Sequence, residues 1–346
     1  MRIQSTTSPL GLERQGTRPA ERPFGREAQR MNDLLTTRLE HQAVRDADGN
    51  VTWSRMGGKR IDLHCHSAFS DEYIRWLPGL LFHPLLEPWE LYDLAKSRGM
   101  DFVTITDHDT IDGCLALLER RGPLPDFIVG EEVSVTFPED GTIIHVNVYD
   151  IDEVQHAEIQ RHRENIHDFV AYLRNIDKLY VLNHMTWTQQ HRALTGHQIE
   201  LMLELFPVFE GLNGTRSYAH NAFTWHATRG RGKIMVGGSD SHTHRVGSTY
   251  TLSAGDTPAE LIANIRAGEA VPCGAFGTPE LLRDDVWITL QKNVERHYLA
   301  ATSNWKRGVC HVVETVGKLT SPFICLGYHT RQNLLIRKSL AAIPTA

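Results

Sequence analysis

Two histidines separated by a single residue, His64 and His66, lie just after an apolar start in residues 61–71. Successive side chains of a strand point to opposite faces, so both imidazoles can reach one point while Cys65 points to the other side. Asp71 follows within the reach of a loop. Imidazole and carboxylate ligands together suit a divalent ion such as zinc, iron or manganese. A His-x-His pair alone is weak evidence in a chain with 19 histidines, so the rest of the sequence has to decide.

The same alternate spacing occurs again at Asp240 and His242, and further metal-competent residues lie singly between the two pairs. Together they exceed the about four to six ligands of one ion, and they could serve two or three divalent ions, Zn, Mn or Fe. Clustered ions need a bridging carboxylate and can clamp both the attacking and the leaving oxygen in phosphoryl transfer. The nine candidate ligands are His64, His66, Asp71, His108, Glu132, His145, His184, Asp240 and His242.

Apolar, β-branched runs that end near these polar residues alternate with segments of helical pattern. Alternation predicts a parallel sheet with crossover helices, and about seven such units suit a closed barrel. Chemistry in barrels of this kind gathers at the C-terminal ends of the strands, which would bring the two alternate-residue pairs into one site. Strands are predicted within 60–66, 102–106, 127–129, 142–148, 179–184, 208–214 and 233–242, and helices within 88–99, 112–121, 152–176, 196–205 and 218–229.

The segments outside this alternation are predicted to be of three kinds. Residues 1–59 are an N-terminal extension that is expected to be partly disordered, because its first half is rich in Arg, Pro and Gly; Met31 is a possible true start. The connection 72–88 contains aromatic residues and prolines, and is either an ordered flap over a pocket or a packed loop. Residues 276–346 are predicted to form a helical segment that packs on the barrel or caps it.

The overall composition limits the possible partners. The formal charge of −6 argues against a broad nucleic-acid-binding face, which needs clustered basic charge. No apolar run is expected to reach the roughly 20 residues of a membrane span, and the N-terminus lacks the apolar core of a signal peptide. Five cysteines without CxxC spacing indicate a reducing compartment. The expectation is a cytoplasmic protein with no membrane partner and no stable nucleic-acid partner, whose oligomeric state is open.

Read in order, the segments around the candidate ligands resemble the motif set of the polymerase and histidinol phosphatase (PHP) superfamily. The motifs are DLHCHSAFSD, TITDHDTIDG, GEEVS, a histidine within a strand, Asn-His at a strand end, and GSDSH. The resemblance covers about residues 60–275 and is specific in both order and residue type. It implies a distorted seven-stranded (β/α) barrel of PHP type, and hydrolysis of phosphoesters by a dinuclear or trinuclear metal centre.

The resemblance also implies a role for each ligand. Glu132 rather than Glu131 fits the family's Gly-x-Glu-x-Ser spacing, and strand parity puts Glu131 on the opposite face. The first ion would be held by His64, His66 and Asp240, the second by Asp71, His108 and His242, and the third by His145 and His184, with Glu132 bridging the first and third.

Two departures from the family pattern lie where a substrate would enter. Glu72 follows Ser70-Asp71 where the family often has glycine, and Met185 follows His184 where the family often has proline. They leave the identity of the substrate open, whereas no family ligand is missing.

Three further residues have proposed roles near these ligands. Asp107 and Asp109 flank His108 and are predicted to orient the ligand or to cap the next helix. Arg216 follows a strand end and either clamps a phosphate bidentately or is a solvated loop arginine. Together with Glu132 and Asp240, Arg216 is predicted to be catalytic.

The predicted function is therefore a metal-dependent phosphoesterase. It would hydrolyse a small phosphomonoester, such as a nucleotide, histidinol phosphate or a sugar phosphate, by attack of a metal-bound hydroxide. Two alternatives remain open: an exonuclease on short oligonucleotides, and a metal-bound regulatory or scaffolding module. A third, non-phosphate metallohydrolase chemistry as in the amidohydrolases, is disfavoured by the GSDSH ending and by the absence of a candidate carboxylated-lysine ligand.

Overall fold

The computed structural model describes residues 58–70, 83–299 and 301–343, together with the backbone of short strand segments at 44–45, 51–52, 72–73 and 81–82. The chain divides into two units, Met1–Met56 and Gly57–Ala346. In the first unit, strands β1 (Val44–Arg45) and β2 (Val51–Thr52) pair antiparallel. The predicted disorder of the extension, the role of Met31 and residues 74–80 of the 72–88 connection fall outside the described residues.

The second unit is a mixed α/β structure. Its strands are β3 (Lys59–Asp62), β4 (Glu72–Tyr73), β5 (Leu81–Phe82), β6 (Phe102–Ile105), β7 (Phe127–Thr136), β8 (Ile143–Tyr149), β9 (Leu179–Leu182), β10 (Val208–Asn213), β11 (Ile234–Gly238), β12 (Thr249–Ser253) and β13 (Ala270–Gly274). Its helices are α1 (Pro88–Ser97), α2 (Asp112–Arg121), α3 (Glu153–His162), α4 (Ile166–Asn175), α5 (Gly196–Leu205), α6 (Tyr218–Thr228), α7 (Pro258–Arg266), α8 (Pro279–Leu299) and α9 (Asn304–Ala341).

Nine strands form one sheet, in the order β11-β10-β9-β8-β7-β6-β3-β12-β13. All seven predicted strand segments contribute to it, and β12 and β13 are additional. The Gly237 backbone N–H donates to Thr251 Oγ1 (2.8 Å), and that hydroxyl donates back to the Gly237 carbonyl (2.9 Å), which holds β11 against β12. The sheet is thus a nearly closed barrel, which confirms the predicted fold class with nine strands instead of seven.

The predicted wholly parallel sheet is wrong at two places. β8 runs antiparallel to both β7 and β9, because residues 137–142 form a tight hairpin that leaves no length for a crossover helix. The Gly141 N–H donates to the Phe137 carbonyl at 2.9 Å within this turn. β12 is also antiparallel, to β3 and to β13.

The single helix predicted over 152–176 is two helices, α3 and α4. Asp152 and Gln155 form a capping box at the start of α3, and Asn165 accepts a hydrogen bond from the His167 N–H at the start of α4. A capping asparagine satisfies a backbone donor that a continuous helix would satisfy internally, so it starts a new helix. The other predicted helices form with boundaries shifted by no more than two residues.

The core lies between the barrel and its outer helices. α4 buries Ile166, Phe169, Val170 and Leu173, which recur at helical spacing on one face and pack in one cluster with Val133 of β7. Each such large apolar side chain contributes about 1.5–3 kcal/mol on burial. Val133 points outward to the helices. Because successive side chains of a strand point to opposite faces, Glu132 points into the barrel.

The C-terminal segment is helical, as predicted, and its second half contacts the barrel. The Leu194 N–H donates to Ser339 Oγ at 2.9 Å, and Ile336 belongs to the main core cluster. The domain boundaries predicted at residues 59 and 275 stay predictions. By length and composition, α9 is apolar enough to cross a membrane. No apolar run of this length was expected from the sequence, because small residues such as glycine and threonine interrupt the apolar positions of α9.

Candidate metal centre

Most of the candidate ligands follow the ends of barrel strands, whereas Glu132 lies within β7 and His145 within β8. Beyond the end of β3, the His64 carbonyl accepts the Asp240 N–H (2.6 Å), and the His66 N–H donates to the Ser241 carbonyl (3.0 Å). These two bonds join the first and the last strand of the predicted seven. They bring the two alternate-residue pairs together, as the sequence predicts.

Glu132 lies at the centre of the cluster and is fully buried. Its Oε1 atom is 3.2 Å from a nitrogen of each of three imidazoles, and its Oε2 atom is 3.1 Å and 3.3 Å from nitrogens of two others. One carboxylate therefore touches five imidazoles, the arrangement that a bridging ligand requires. The Oε1 neighbours are His64, His145 and His184, and the Oε2 neighbours are His66 and His108.

Asp240 forms a second carboxylate contact within the cluster. Its Oδ1 atom lies 3.6 Å from Nε2 of both His64 and His66 and 3.8 Å from Nδ1 of His242. Asp240 has φ 52°, a left-handed conformation that costs about 1 kcal/mol or more outside glycine and turns the side chain inward. A Cβ at Gly238 would lie 2.4 Å from the His64 Cβ, so the close approach of this segment requires glycine.

Eight of the nine candidate ligands are thus brought together, and Asp71 lies outside the described residues. Four groups of three have donor atoms within 4.8 Å of one another. The groups are His66, His108 and His242; His64, His66 and Asp240; His64, Glu132 and His184; and His108, Glu132 and His145. The second group is the one implied for the first ion, while His145 and His184 fall in separate groups.

The donor atoms fit divalent cations. Nε2 of His64 and of His66, Nδ1 of His145 and Oε2 of Glu132 are buried and have no hydrogen-bond partner of acceptable geometry among the described residues. Buried polar atoms are normally satisfied, since leaving one unsatisfied costs about 1–3 kcal/mol. Imidazole nitrogens and carboxylate oxygens are ligands for Zn, Mn and Fe, so these residues suit bound metal ions.

The ionisation of the site follows from burial and close charges. Burial alone would raise the pKa of Glu132, but the neighbouring imidazoles of His64 and His145 hold it well below its usual range. Burial also lowers the pKa of His66, and the neighbouring imidazoles of His242 and His108 lower that pKa further. An ionised Glu132 beside a neutral His66 supplies lone pairs to a cation.

Sequence reasoning missed Glu210, a buried carboxylate of β10. Its Oε1 atom lies 2.9 Å from Nδ1 of His64, and its Oε2 atom accepts the His184 N–H at 2.9 Å. An ionised carboxylate only accepts hydrogen bonds, so it fixes the proton on Nδ1 of His64 and turns Nε2 toward Glu132. A lone carboxylate within the apolar run Val208–Asn213 was the available signal.

The aspartates around His108 hold the loop that carries it. Asp107 accepts hydrogen bonds from the Ser67 N–H and Oγ, both at 2.6 Å, and burial raises its pKa to about 7. Asp109 accepts the Ser134 N–H at 2.8 Å. Neither caps α2, which begins after Ile111 without a side-chain cap, so the predicted capping alternative is wrong.

Glu131 points away from the cluster, as strand parity predicts. Its Oε2 atom lies 2.9 Å from Nδ1 of His156 and accepts a hydrogen bond from Nε2 of Gln160 (2.8 Å), both on α3. Cys65 is likewise turned outward, and its thiol donates to the Thr104 carbonyl.

Arg216 lies at the edge of the cluster, and the solvated-loop alternative is wrong because its side chain is largely buried. Its Nη2 atom is 3.2 Å from Asp240 Oδ2, and its Nη1 atom donates to the Tyr328 hydroxyl of α9 at 3.2 Å. The guanidinium also lies 5.3 Å from the centre of the Trp187 ring, within cation–π range. A planar cation held from three sides beside the carboxylates can bind an anionic group.

Residues 218–270 match the family model described as PHP-associated, and this segment includes Asp240 and His242. Within this segment the match agrees with the resemblance to the PHP superfamily that the motifs predict. No curated protein matches the chain in sequence.

Several solved structures are similar in outline. A two-domain protein from Bacteroides vulgatus ATCC 8482, described as containing a predicted PHP-like metal-dependent phosphoesterase, is 18% identical (TM-score 0.45, covering 66% of this chain and 70% of that one). PsfC from Pseudomonas syringae PB-5123 is 16% identical (TM-score 0.44, 70% and 100%), and an amidohydrolase from Chromobacterium violaceum with bound sulfate is 19% identical (TM-score 0.42, 61% and 97%).

Proposed function

We propose that the protein is a metal-dependent phosphoesterase that hydrolyses a small phosphomonoester, such as a nucleotide, histidinol phosphate or a sugar phosphate. The observation that carries the proposal is the buried Glu132 carboxylate in contact with five imidazoles, several of whose nitrogens have no hydrogen bond among the described residues. The family match to residues 218–270 supports the same conclusion.

The proposed ligands are the nine residues predicted from the sequence, and Glu132 is the proposed bridge. Two or three divalent ions bound there would lower the pKa of a coordinated water and neutralise charge on a phosphate. Glu210 keeps the His64 imidazole in the tautomer that presents Nε2 to the site. Zn, Mn and Fe all suit this donor set.

Arg216 is the proposed phosphate-binding residue. Its guanidinium is adjacent to Asp240 yet also contacts Trp187 and Tyr328, so its position does not depend on one ion pair. A planar fork of N–H donors matches two phosphate oxygens and is fixed before the substrate binds. In this role Arg216 orients the phosphate, and Asp240 contributes to the charge balance.

The finer features of the proposal follow the sequence. The net charge of −6 favours a small phosphorylated substrate over a stable nucleic-acid partner. Free cysteines, several of them buried, are consistent with a reducing compartment, and we propose a cytoplasmic location.

The test is an activity screen of the protein reconstituted with Mn or with Zn. Nucleoside monophosphates, histidinol phosphate, sugar phosphates and short oligonucleotides are each supplied, and released phosphate or shortened product is measured. We expect phosphate release from at least one phosphomonoester, abolished by a chelator. Shortening of oligonucleotides without phosphomonoester hydrolysis would replace the proposal with an exonuclease, and inactivity on every substrate would favour a regulatory module.

A further inference from the structure

The first two-thirds of α9 expose a regular row of large apolar side chains. Their successive spacings are four, three, four, three, four and three residues, which is a strict seven-residue repeat. Each is between 43% and 80% exposed. The residues of this row, the heptad seam, are Trp305, Val309, Val312, Val316, Leu319, Phe323 and Leu326.

The heptad seam faces away from the described residues of the second unit. α9 packs on α8 through its opposite side, where Ser321 and Cys325 are buried, and Gly317 lies against Leu290. Residues three or four apart share a helix face, so the seam and the packed side are separate faces of one helix.

The period of the pattern indicates what kind of surface covers it. A 3.5-residue apolar repeat is the signature of helix pairing, in which each side chain inserts between four residues of a facing helix. The flanking positions are 306, 308, 313, 315, 320, 322 and 327, of which Lys306 alone is charged. Two such helices can therefore approach without like-charge repulsion at their flanks.

The exposed area is what a stable dimer needs. Multiplying the exposed fractions by the typical surface areas of these side chains gives roughly 600–900 Å² of exposed surface in each chain. A standard protein–protein interface buries about 800 Å² per partner. The seam is 22 residues long, or about 33 Å at 1.5 Å per residue. We propose that the heptad seam of α9 pairs with the same seam of a second copy of this chain, forming a two-fold symmetric dimer.

A membrane surface fits the observations less well. A spanning helix is apolar on all sides, whereas α9 carries Glu314 and Lys318 and is packed on α8. An identical helix supplies a partner with the same length and the same apolar repeat.

The test measures the mass of the full chain in solution by light scattering and by sedimentation equilibrium. We expect a dimer at about 10 µM, and a monomer for the double variant Val312→Lys and Leu319→Lys, whose dissociation constant should rise at least about a hundredfold. Val154→Lys is the matched control, because Val154 is a 73% exposed apolar residue on α3, outside the seam. It should remain a dimer.

Circular dichroism checks that each variant is folded. A wild-type monomer at all accessible concentrations would overturn the proposal, as would a dimer that survives the double variant. A wild-type monomer that floats with vesicles of neutral or anionic phospholipid would overturn it in favour of a membrane surface.

Discussion

Glu132→Gln tests the centre of the proposed site. The substitution keeps the size of the side chain but removes its charge, and an amide nitrogen cannot bind a metal ion. Since Glu132 oxygens lie 3.1–3.3 Å from five imidazole nitrogens, the change affects both sides of the cluster. We expect the loss of at least one ion and a large fall in kcat.

Neighbouring hydrogen bonds decide which side of the site the amide nitrogen occupies. Asn147 Nδ2 donates to the Leu63 carbonyl, which identifies the other side-chain atom of Asn147 as the oxygen, Oδ1. This Oδ1 atom accepts a hydrogen bond from Asn183 Nδ2. The same Asn183 Nδ2 also donates to Glu132 Oε1 at 2.8 Å. The amide oxygen of the variant must take the Oε1 position to accept this bond. The amide nitrogen then faces His66, so the ion bound on that side should be the one lost.

The expected fall in kcat is about a hundredfold or more, equivalent to about 2.7 kcal/mol, as when charge stabilisation in a preorganised site is removed. Elemental analysis gives the metal content, and phosphate release gives kcat. Glu131→Gln is the control: it loses a charged partner of His156 on the outer face and should cost stability, about 1–2 kcal/mol, while keeping its metals. An inactive Glu131 variant beside a nearly normal Glu132 variant would refute the assignment of the bridging ligand.

Four further predictions follow from the same geometry. Reconstitution with Mn or Zn should give two or three ions per chain and raise the Tm; less than about one equivalent by elemental analysis would contradict a multinuclear site. Arg216→Ala should raise KM or lower kcat at unchanged metal content, and Arg216→Lys should rescue poorly because the planar fork is lost; wild-type kinetics in the alanine variant would exclude the phosphate role. Tyr328→Phe removes the hydroxyl 3.2 Å from Arg216 Nη1 and should raise KM about threefold to tenfold with kcat retained, and an unchanged KM would show that the hydroxyl does not position Arg216. Glu210→Gln leaves one acceptor oxygen for the three donors at His64, His184 and Asn213 and should weaken metal binding about 10- to 100-fold in a metal titration, whereas unaltered affinity would remove Glu210 from the site.

The sequence predicted the parts of the site that depend on local rules. Strand parity separates Glu132 from Glu131, and the structure places them on opposite faces of β7. Alternate spacing likewise places His64 and His66 on one side. These predictions hold because the direction of a side chain in a strand depends only on its position in that strand.

Two errors in the fold had local signals that the prediction did not use. The segment 137–142 is Phe-Pro-Glu-Asp-Gly-Thr, a turn composition that favours a hairpin over a crossover. Asn165 before an apolar run is a helix start signal, which divides 152–176 into two helices. Periodicity alone detects helix and strand but not the connection between them.

Other features depend on contacts between distant segments and could not be read from spacing. Glu210 acts on His64, which lies 146 positions earlier, and its role depends on how the barrel closes. The contact between Arg216 and Tyr328 depends on how α9 docks, because the two residues are 112 positions apart. No local rule relates such pairs, so only the folded structure reveals them.

The charges of the site link metal binding to folding. Glu132, Glu210 and Asp240 are at most 2% exposed, and burying carboxylates is costly unless positive charge or hydrogen bonds compensate them. Burial alone would lower the pKa of His64, but these three carboxylates hold it well above its usual range, so in the absence of cations the imidazole carries compensating charge. Divalent ions would supply that charge instead and displace the proton from Nε2, because a ligating nitrogen must be deprotonated. The same buried carboxylates that make the cluster costly to fold thus provide its affinity for metal.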